Sequence, residues 1–163
     1  MKKFLVQTVL LLIIISVALV FFSPFGKSAK LDIPFLPQPS QFKSIEINGN
    51  KLKVEIADTD SKRNKGLGGR DSLALDEGML FIYAKASSHP FWMKGMRFPL
   101  DFIWINGGKV VDLTLGVLPP VSQAKDADLP IYSSKSEADK ILEVNTGVIQ
   151  KLNIKVGDTI KFQ

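Results

Sequence analysis

The chain has no cysteine at all and only one histidine, two tryptophans and two tyrosines. Without cysteine there are no disulfides, no lipid-modified cysteine behind a leader, no thiolate nucleophile and no zinc set built from Cys and His. An exported domain of this sequence must therefore hold together by its core alone. A basic surplus is also missing from most of the chain. The formal charge is +5, but Lys2, Lys3, Lys27 and Lys30 stand ahead of Leu31 with no acid among them, leaving 17 basic against 16 acidic residues from Leu31 onward, a net of +1. Phosphate recognition needs a clustered cationic face, and no such cluster occurs, so nucleic acid is not expected as a partner. Two catalytic patterns are absent as well. The glycines of Gly66-Leu67-Gly68-Gly69 lack the Gly-Lys-Ser/Thr ending of a phosphate-binding loop, and Ser72, Ser87, Ser88 and Ser122 lack a nucleophile-elbow context.

Long uncharged runs are absent except for one. Phe4 to Phe22 spans nineteen residues with no charge and only Gln7, Thr8 and Ser16 as polar members. At 1.5 Å per residue such a helix covers about the 30 Å hydrocarbon thickness of a bilayer. The expectation is an N-terminal transmembrane anchor over residues 1–22. Lys2, Lys3 and the amino terminus favour the cytoplasmic side, which puts the C-terminal domain outside the cytoplasm. The alternative is a cleaved signal, releasing a secreted or periplasmic protein. Its small-x-small site would end at Ala29, where Lys27 occupies a position that wants a small residue. Residues 23–43, with Pro24, Pro34, Pro37 and Pro39, read as a Pro-rich tether. Residues 44–163 have the size of a single domain.

That domain reads as mainly β, a compact sandwich or barrel with one or two short helices. Asn48-Gly49-Asn50 and Asn106-Gly107-Gly108 are hairpin turns, and Leu52, Val54 and Ile56 alternate with Lys51, Lys53 and Glu55. Strands are expected at 44–47, 51–57, 79–83, 91–93, 98–105, 109–115, 141–144 and 159–162. Thr59 should cap a short helix over Asp60–Asn64, and Thr146 a later one ending at Leu152.

Five spaced motifs carry a family resemblance. In order they are Gly66-Leu67-Gly68-Gly69-Arg70; Gly78-Met79-Leu80-Phe81; Phe91-Trp92-Met93-Lys94 with Pro99-Leu100-Asp101; Leu142-Glu143-Val144-Asn145 with Gly147; and Ile154-Lys155-Val156-Gly157-Asp158. Over residues 44–163 the chain resembles domain of unknown function 192, also labelled uncharacterised protein family 0127. That family usually carries Asn-Thr after Trp-Met-Lys, where this chain has Gly95 and Met96. The resemblance implies a compact, mostly β domain, often exported or anchored, and brings no established activity, cofactor or catalytic residue.

Within these motifs the block Phe91–Phe102 follows neither a period of 2 nor one of 3.6. Its residues direct attention to Arg70, Trp92, Lys94, Arg97, Asp101 and Glu143 as candidate ligand-binding groups. Arg70 can clamp an anion or pair with Asp71, Asp101 or Glu143. Trp92 beside Lys94 and Arg97 suits a stacking site, against a purely core role. Asp101 and Glu143 sit among apolar neighbours, where a carboxylate either pairs with a cation or has its pKa raised. Trp104 reads as core and Asp158 as a turn residue. His89 with Met79, Met93 and Met96 has the donor chemistry of a Cu(I) site, but methionine is also ordinary packing, so no metal or cofactor is expected. Three functions remain open. The first is a membrane-tethered, extracytoplasmic domain binding a small ligand or cell-envelope partner in a polar and aromatic cleft. The second is a hydrolase with Asp101 and Glu143 as acid and base, and the third a structural module with no ligand.

Overall fold

Hydrophobic alternation and two tight turns build a seven-stranded sheet. A computed structural model describes residues 42–121 and 125–163. The expected span Phe4–Phe22 lies outside the described residues, and among those described no helix is long and apolar enough to cross a membrane. β1 (Phe42–Ile47) and β2 (Asn50–Ala57) form a hairpin in which Ile47 pairs with Asn50. The two-residue loop Asn48-Gly49 has positive φ at both positions, +50° and +75°, as a type I′ turn requires. β1 therefore begins inside the stretch assigned to the tether, and Phe42 and Lys43 belong to the sheet. The expected short helix forms as α1 (Asp60–Lys65), with Lys62 N donating to Thr59 Oγ1 at 3.3 Å.

β3 (Glu77–Ser87) runs parallel to β2, the one parallel pair in the sheet. β4 (Leu100–Asn106) and β5 (Lys109–Val117) form a second hairpin, β6 (Ala138–Asn145) inserts between β4 and β3, and β7 (Ile160–Phe162) joins β1. The strand order is β5-β4-β6-β3-β2-β1-β7. At one end the outermost strands meet, with Val110 N donating to Asp158 O at 2.8 Å and Ile160 N to Gly108 O at 2.9 Å. The result is a half-barrel of a single sheet, rather than two packed sheets.

The sheet has a core on each face. The inner one takes residues from all seven strands, among them Ile45, Val54, Leu80, Ile103, Leu142 and Ile160. Val148 and Ile149 of α2 (Val148–Lys151) pack into it. The outer one is built from Phe81, Phe102, Trp104 and Ile141 on the sheet and Leu67, Phe91, Met93 and Met96 from loops. With both faces covered, Leu100 through Ile105 are all buried, which removes the alternation from β4.

Three local expectations change. Phe91–Met93 is not a strand: Phe91 makes one bridge, exchanging 2.8 Å backbone hydrogen bonds with Tyr132. β4 starts at Leu100, after Pro99, whose ring has no N–H to give a ladder. The late helix has only four residues and Gly147, not Thr146, at its N-cap.

Gly78 permits the close contact of β3 with β6. A Cβ there would stand 2.7 Å from Glu143 O and 3.1 Å from Leu142 Cδ1. Gly78→Ala is expected to lower stability by about 1–3 kcal/mol through overpacking, read as a fall in the urea midpoint; an unchanged midpoint would show that the β3–β6 spacing yields freely.

Candidate functional site

The two acids singled out in the sequence lie on opposite faces. In the β4–β6 register Asp101 pairs with Val144, and Phe102 with Glu143. Directly opposed residues share a face and neighbours along a strand alternate, so Asp101 points inward and Glu143 outward. No acid–base pair of the two exists.

Asp101 is fully buried and matched by donors. Its carboxylate accepts from Gly116 N and Gly147 N at 2.8 Å each, from Ile149 N at 3.3 Å, and from Thr146 Oγ1 at 3.3 Å. It thus ties β5 to β4 and satisfies N–H groups at the start of α2, the task that sequence assigned to Thr146. Its role is structural.

Glu143 has the opposite fate. It is 5 % exposed, and its carboxyl has no hydrogen-bond or ion-pair partner among the described residues. Its row on the outer face runs from Glu55 of β2 through Met79 of β3 to Glu143 and on to Phe102 of β4. Burial alone raises its pKa to about 8, because the charged form loses its water and gains no counter-ion. At neutral pH it is a protonated acid, able to donate a hydrogen bond.

Glu143 opens into a cleft of about 90 Å³ whose other charged lining residues are Arg63, Lys65 and Lys94. Gly66, Leu67 and Gly68 form one wall, with Gly68 packed so closely that a Cβ would stand 3.0 Å from Lys94 O. Phe91, Trp92 and Met96 form another. Trp92 is 44 % exposed while its neighbours Phe91 and Met93 are buried, so the indole is available at the rim and is not core. A second hollow of about 320 Å³ shares Trp92 and Lys94 and is otherwise lined by Asp126, Ala127, Leu129 and Ile131. Lys94 is ion-paired with Asp126.

Arg70 and Arg97 stand elsewhere. Arg70 pairs with Glu55 through both terminal nitrogens, Nη2 reaching Oε2 at 2.8 Å. The Arg70 hydrogen bonds hold the Glu55 carboxyl below the usual carboxylate range. Arg97 is exposed and pairs with Asp71. Neither lines the cleft. Of the six candidates, Trp92, Lys94 and Glu143 come together.

Sequence reasoning missed Glu55, Arg63, Lys65 and Tyr83. Arg63 lies 4.9 Å from the Tyr83 ring centre, and His89 stacks on the same ring at 3.6 Å and 16°. The available signal was the basic last turn of α1, Lys62-Arg63-Asn64-Lys65, leading straight into the glycine motif. Met79, Met93 and Met96 are buried in the outer core while His89 is held on Tyr83. The described residues contain no group of three or more His, Cys, Asp or Glu able to hold a metal ion.

The chain belongs to the DUF192 family, described as an uncharacterized ACR, whose model matches residues 43–162. No curated protein matches the chain. Among solved structures it is similar to one from Sinorhizobium meliloti 1021 described as a "putative transcription regulator", with 27 % identity, a TM-score of 0.68, and 78 % of this chain and 98 % of that one covered. It is also similar to a protein of unknown function from Novosphingobium aromaticivorans DSM 12444, with 25 % identity, a TM-score of 0.66, and 77 % and 91 % covered.

Glu143 makes stability pH-dependent in a defined sense. The unfolded carboxyl ionises near 4.5 and the folded one near 8, so between those values the unfolded state releases a proton that the native state keeps. Wild-type stability falls as pH rises through that window, by up to about 1.4 kcal/mol per pH unit from this group. Glu143→Gln removes the loss. Its stability gain over wild type should be small at pH 4.5, grow toward pH 8 and level off above, as read from paired urea denaturation curves; a gain that does not vary with pH contradicts the assignment.

Proposed function

We propose that this chain is a membrane-tethered, extracytoplasmic binding domain that takes a small ligand in the cleft of Trp92, Lys94 and Glu143. The observation that carries the reading is Glu143, a buried acid without a partner among the described residues, facing an open cleft beside a half-exposed indole. An unmatched buried polar group costs about 1–3 kcal/mol, and a ligand that accepts its proton in a hydrogen bond recovers much of that. Trp92 supplies a flat apolar surface for the rest of the molecule. The tether and the location rest on the uncharged run Phe4–Phe22 and the lysines before it.

Acid–base chemistry is the second reading, and it rests on Glu143 alone. A carboxyl with a pKa near 8 is suited to proton transfer at neutral pH, but Asp101 is on the other face and Glu55 is held by Arg70. The regulator description of the Sinorhizobium relative raises DNA as a partner. The net of +1 from Leu31 onward supports that poorly.

A screen of envelope sugars, peptides and small acids by thermal shift tests the binding reading. Trp92→Ala should abolish the ligand-induced shift while changing intrinsic stability by less than about 1 kcal/mol, as for most exposed side chains. A ligand response that survives Trp92→Ala and Glu143→Ala together would move the site elsewhere. In a Gram-negative host the full chain should sediment with membranes, and protease added to spheroplasts should cut the domain; a domain protected in spheroplasts and cut only after lysis would overturn the orientation.

A further inference from the structure

The charges around the cleft specify the ligand more narrowly than its shape does. Three of the four charged lining residues are cations, Arg63, Lys65 and Lys94. Arg63 holds Asp60 through Nη2, at 2.6 Å, and donates Nη1 to Ile82 O at 2.7 Å, so it acts mainly through its charge; Lys94 is paired with Asp126, and Lys65 has no ion pair among the described residues. The fourth, Glu143, is uncharged at neutral pH and offers a hydrogen-bond donor. A cationic ligand would meet three like charges, whereas an anion meets three opposite charges and one donor. The pocket against Glu143 is small, about 90 Å³. That size suits a compact oxyanion such as a carboxylate or phosphate. The hollow beyond Trp92 is larger, about 320 Å³, and Ala127, Leu129 and Ile131 make it predominantly apolar. The two adjoin at Trp92 and Lys94, which line both.

Building on the binding reading above, we infer that the ligand is an amphiphilic anion. Its oxyanion head, carboxylate or phosphate, sits against Glu143 among Arg63, Lys65 and Lys94, and its apolar or aromatic body lies over Trp92 against Ala127, Leu129 and Ile131. The Lys94–Asp126 pair at the junction has both side chains more than half exposed, at 57 % and 68 %, so it is weakly held and exchangeable. An incoming anion takes Lys94 from Asp126. Asp126 is thus a competitor for the ligand as well as a wall of the hollow.

Several titratable groups surround the head position. They are Glu143 of β6, Tyr83 of β3, Arg63 and Lys65 of α1, Lys94 of the covering loop, and the Glu55–Arg70 pair across Met79. Tyr83 has its pKa raised, chiefly by burial, so it stays neutral with the acid protonated. Glu143 gains a negative charge as the pH rises through about 8, and that charge opposes an anion.

The test uses the full chain in detergent, with Trp92 fluorescence and calorimetry as readouts and the buried Trp104 as an internal reference. The probes are 4-phenylbutyrate, its neutral amide, the 4-phenylbutylamine cation and phenyl phosphate. The expected order is anion over amide by at least tenfold, with the amine weakest; carboxylate against phosphate preference identifies the head. Wild-type affinity for the anion should fall about tenfold per pH unit above 8, since binding requires the protonated acid. Glu143→Gln keeps a donor and should bind the anion without that fall, and Asp126→Asn should bind it more tightly than wild type. Equal binding of amide and anion, preference for the amine, or a pH profile unaltered by Glu143→Gln overturns the anion inference and leaves the binding site standing. If no probe binds and none perturbs Trp92, both the inference and the binding reading fall.

Discussion

The constraint on which this structure depends is that β4, the first half of β3 and the second half of β6 are buried on both faces. A strand in that position cannot carry a polar side chain unless something matches it or the group gives up its charge. Two acids occupy such positions and resolve the problem in opposite ways. Asp101, facing the inner core, is surrounded by backbone N–H groups of Gly116, Gly147 and Ile149. Glu143, facing the outer core and the cleft, has no hydrogen-bond or ion-pair partner among the described residues, and it holds its proton. The first arrangement fixes the corner where β5, β4 and α2 meet. The second leaves a neutral donor at the base of a cleft.

The outer cover explains why that cleft exists. It consists of loops, not a second sheet: the glycine motif, the block from Phe91 to Pro99, and the segment around Tyr132. Phe91, Met93 and Met96 reach down into the core, and Phe91 packs edge-on against Phe81 and Trp104. Trp92, Lys94 and Arg97 are left on the outside. Loops meeting at an angle do not seal as strands do, and the gap between the glycine motif and the Trp92 segment falls directly over Glu143. A fold that only needed a closed core would place an apolar residue there.

Much of the sheet was legible in the sequence because its signals are local. The Asn48-Gly49 and Gly107-Gly108 turns and the alternation in β2 act over a few residues, and Thr59 caps its helix as its position suggests. The block Phe91–Phe102 was legible as an oddity, and its missing period is now accounted for: Phe91 to Pro99 is loop cover, and Leu100 to Phe102 begin a strand buried on both sides. What sequence could not supply is register. Whether Asp101 and Glu143 share a face depends on a one-residue shift between β4 and β6. Likewise, the pairing of Arg70 with Glu55 is a tertiary contact, and in the sequence Glu55 reads as one more solvent-facing residue of an alternating strand. The cations of α1 were visible as charges, but their meeting with Trp92 and Glu143 is purely tertiary.

The binding chemistry of the cleft depends on the protonation state of one side chain, Glu143. The most direct measurement is a carbon-detected NMR titration of the Glu143 side-chain carboxyl in the folded, ligand-free protein, assigned with Glu143→Gln. A midpoint near pH 8 is predicted. A midpoint near the ordinary value of 4.5 would mean that the carboxyl is solvated or paired, and a cleft built around a neutral acid would have no basis.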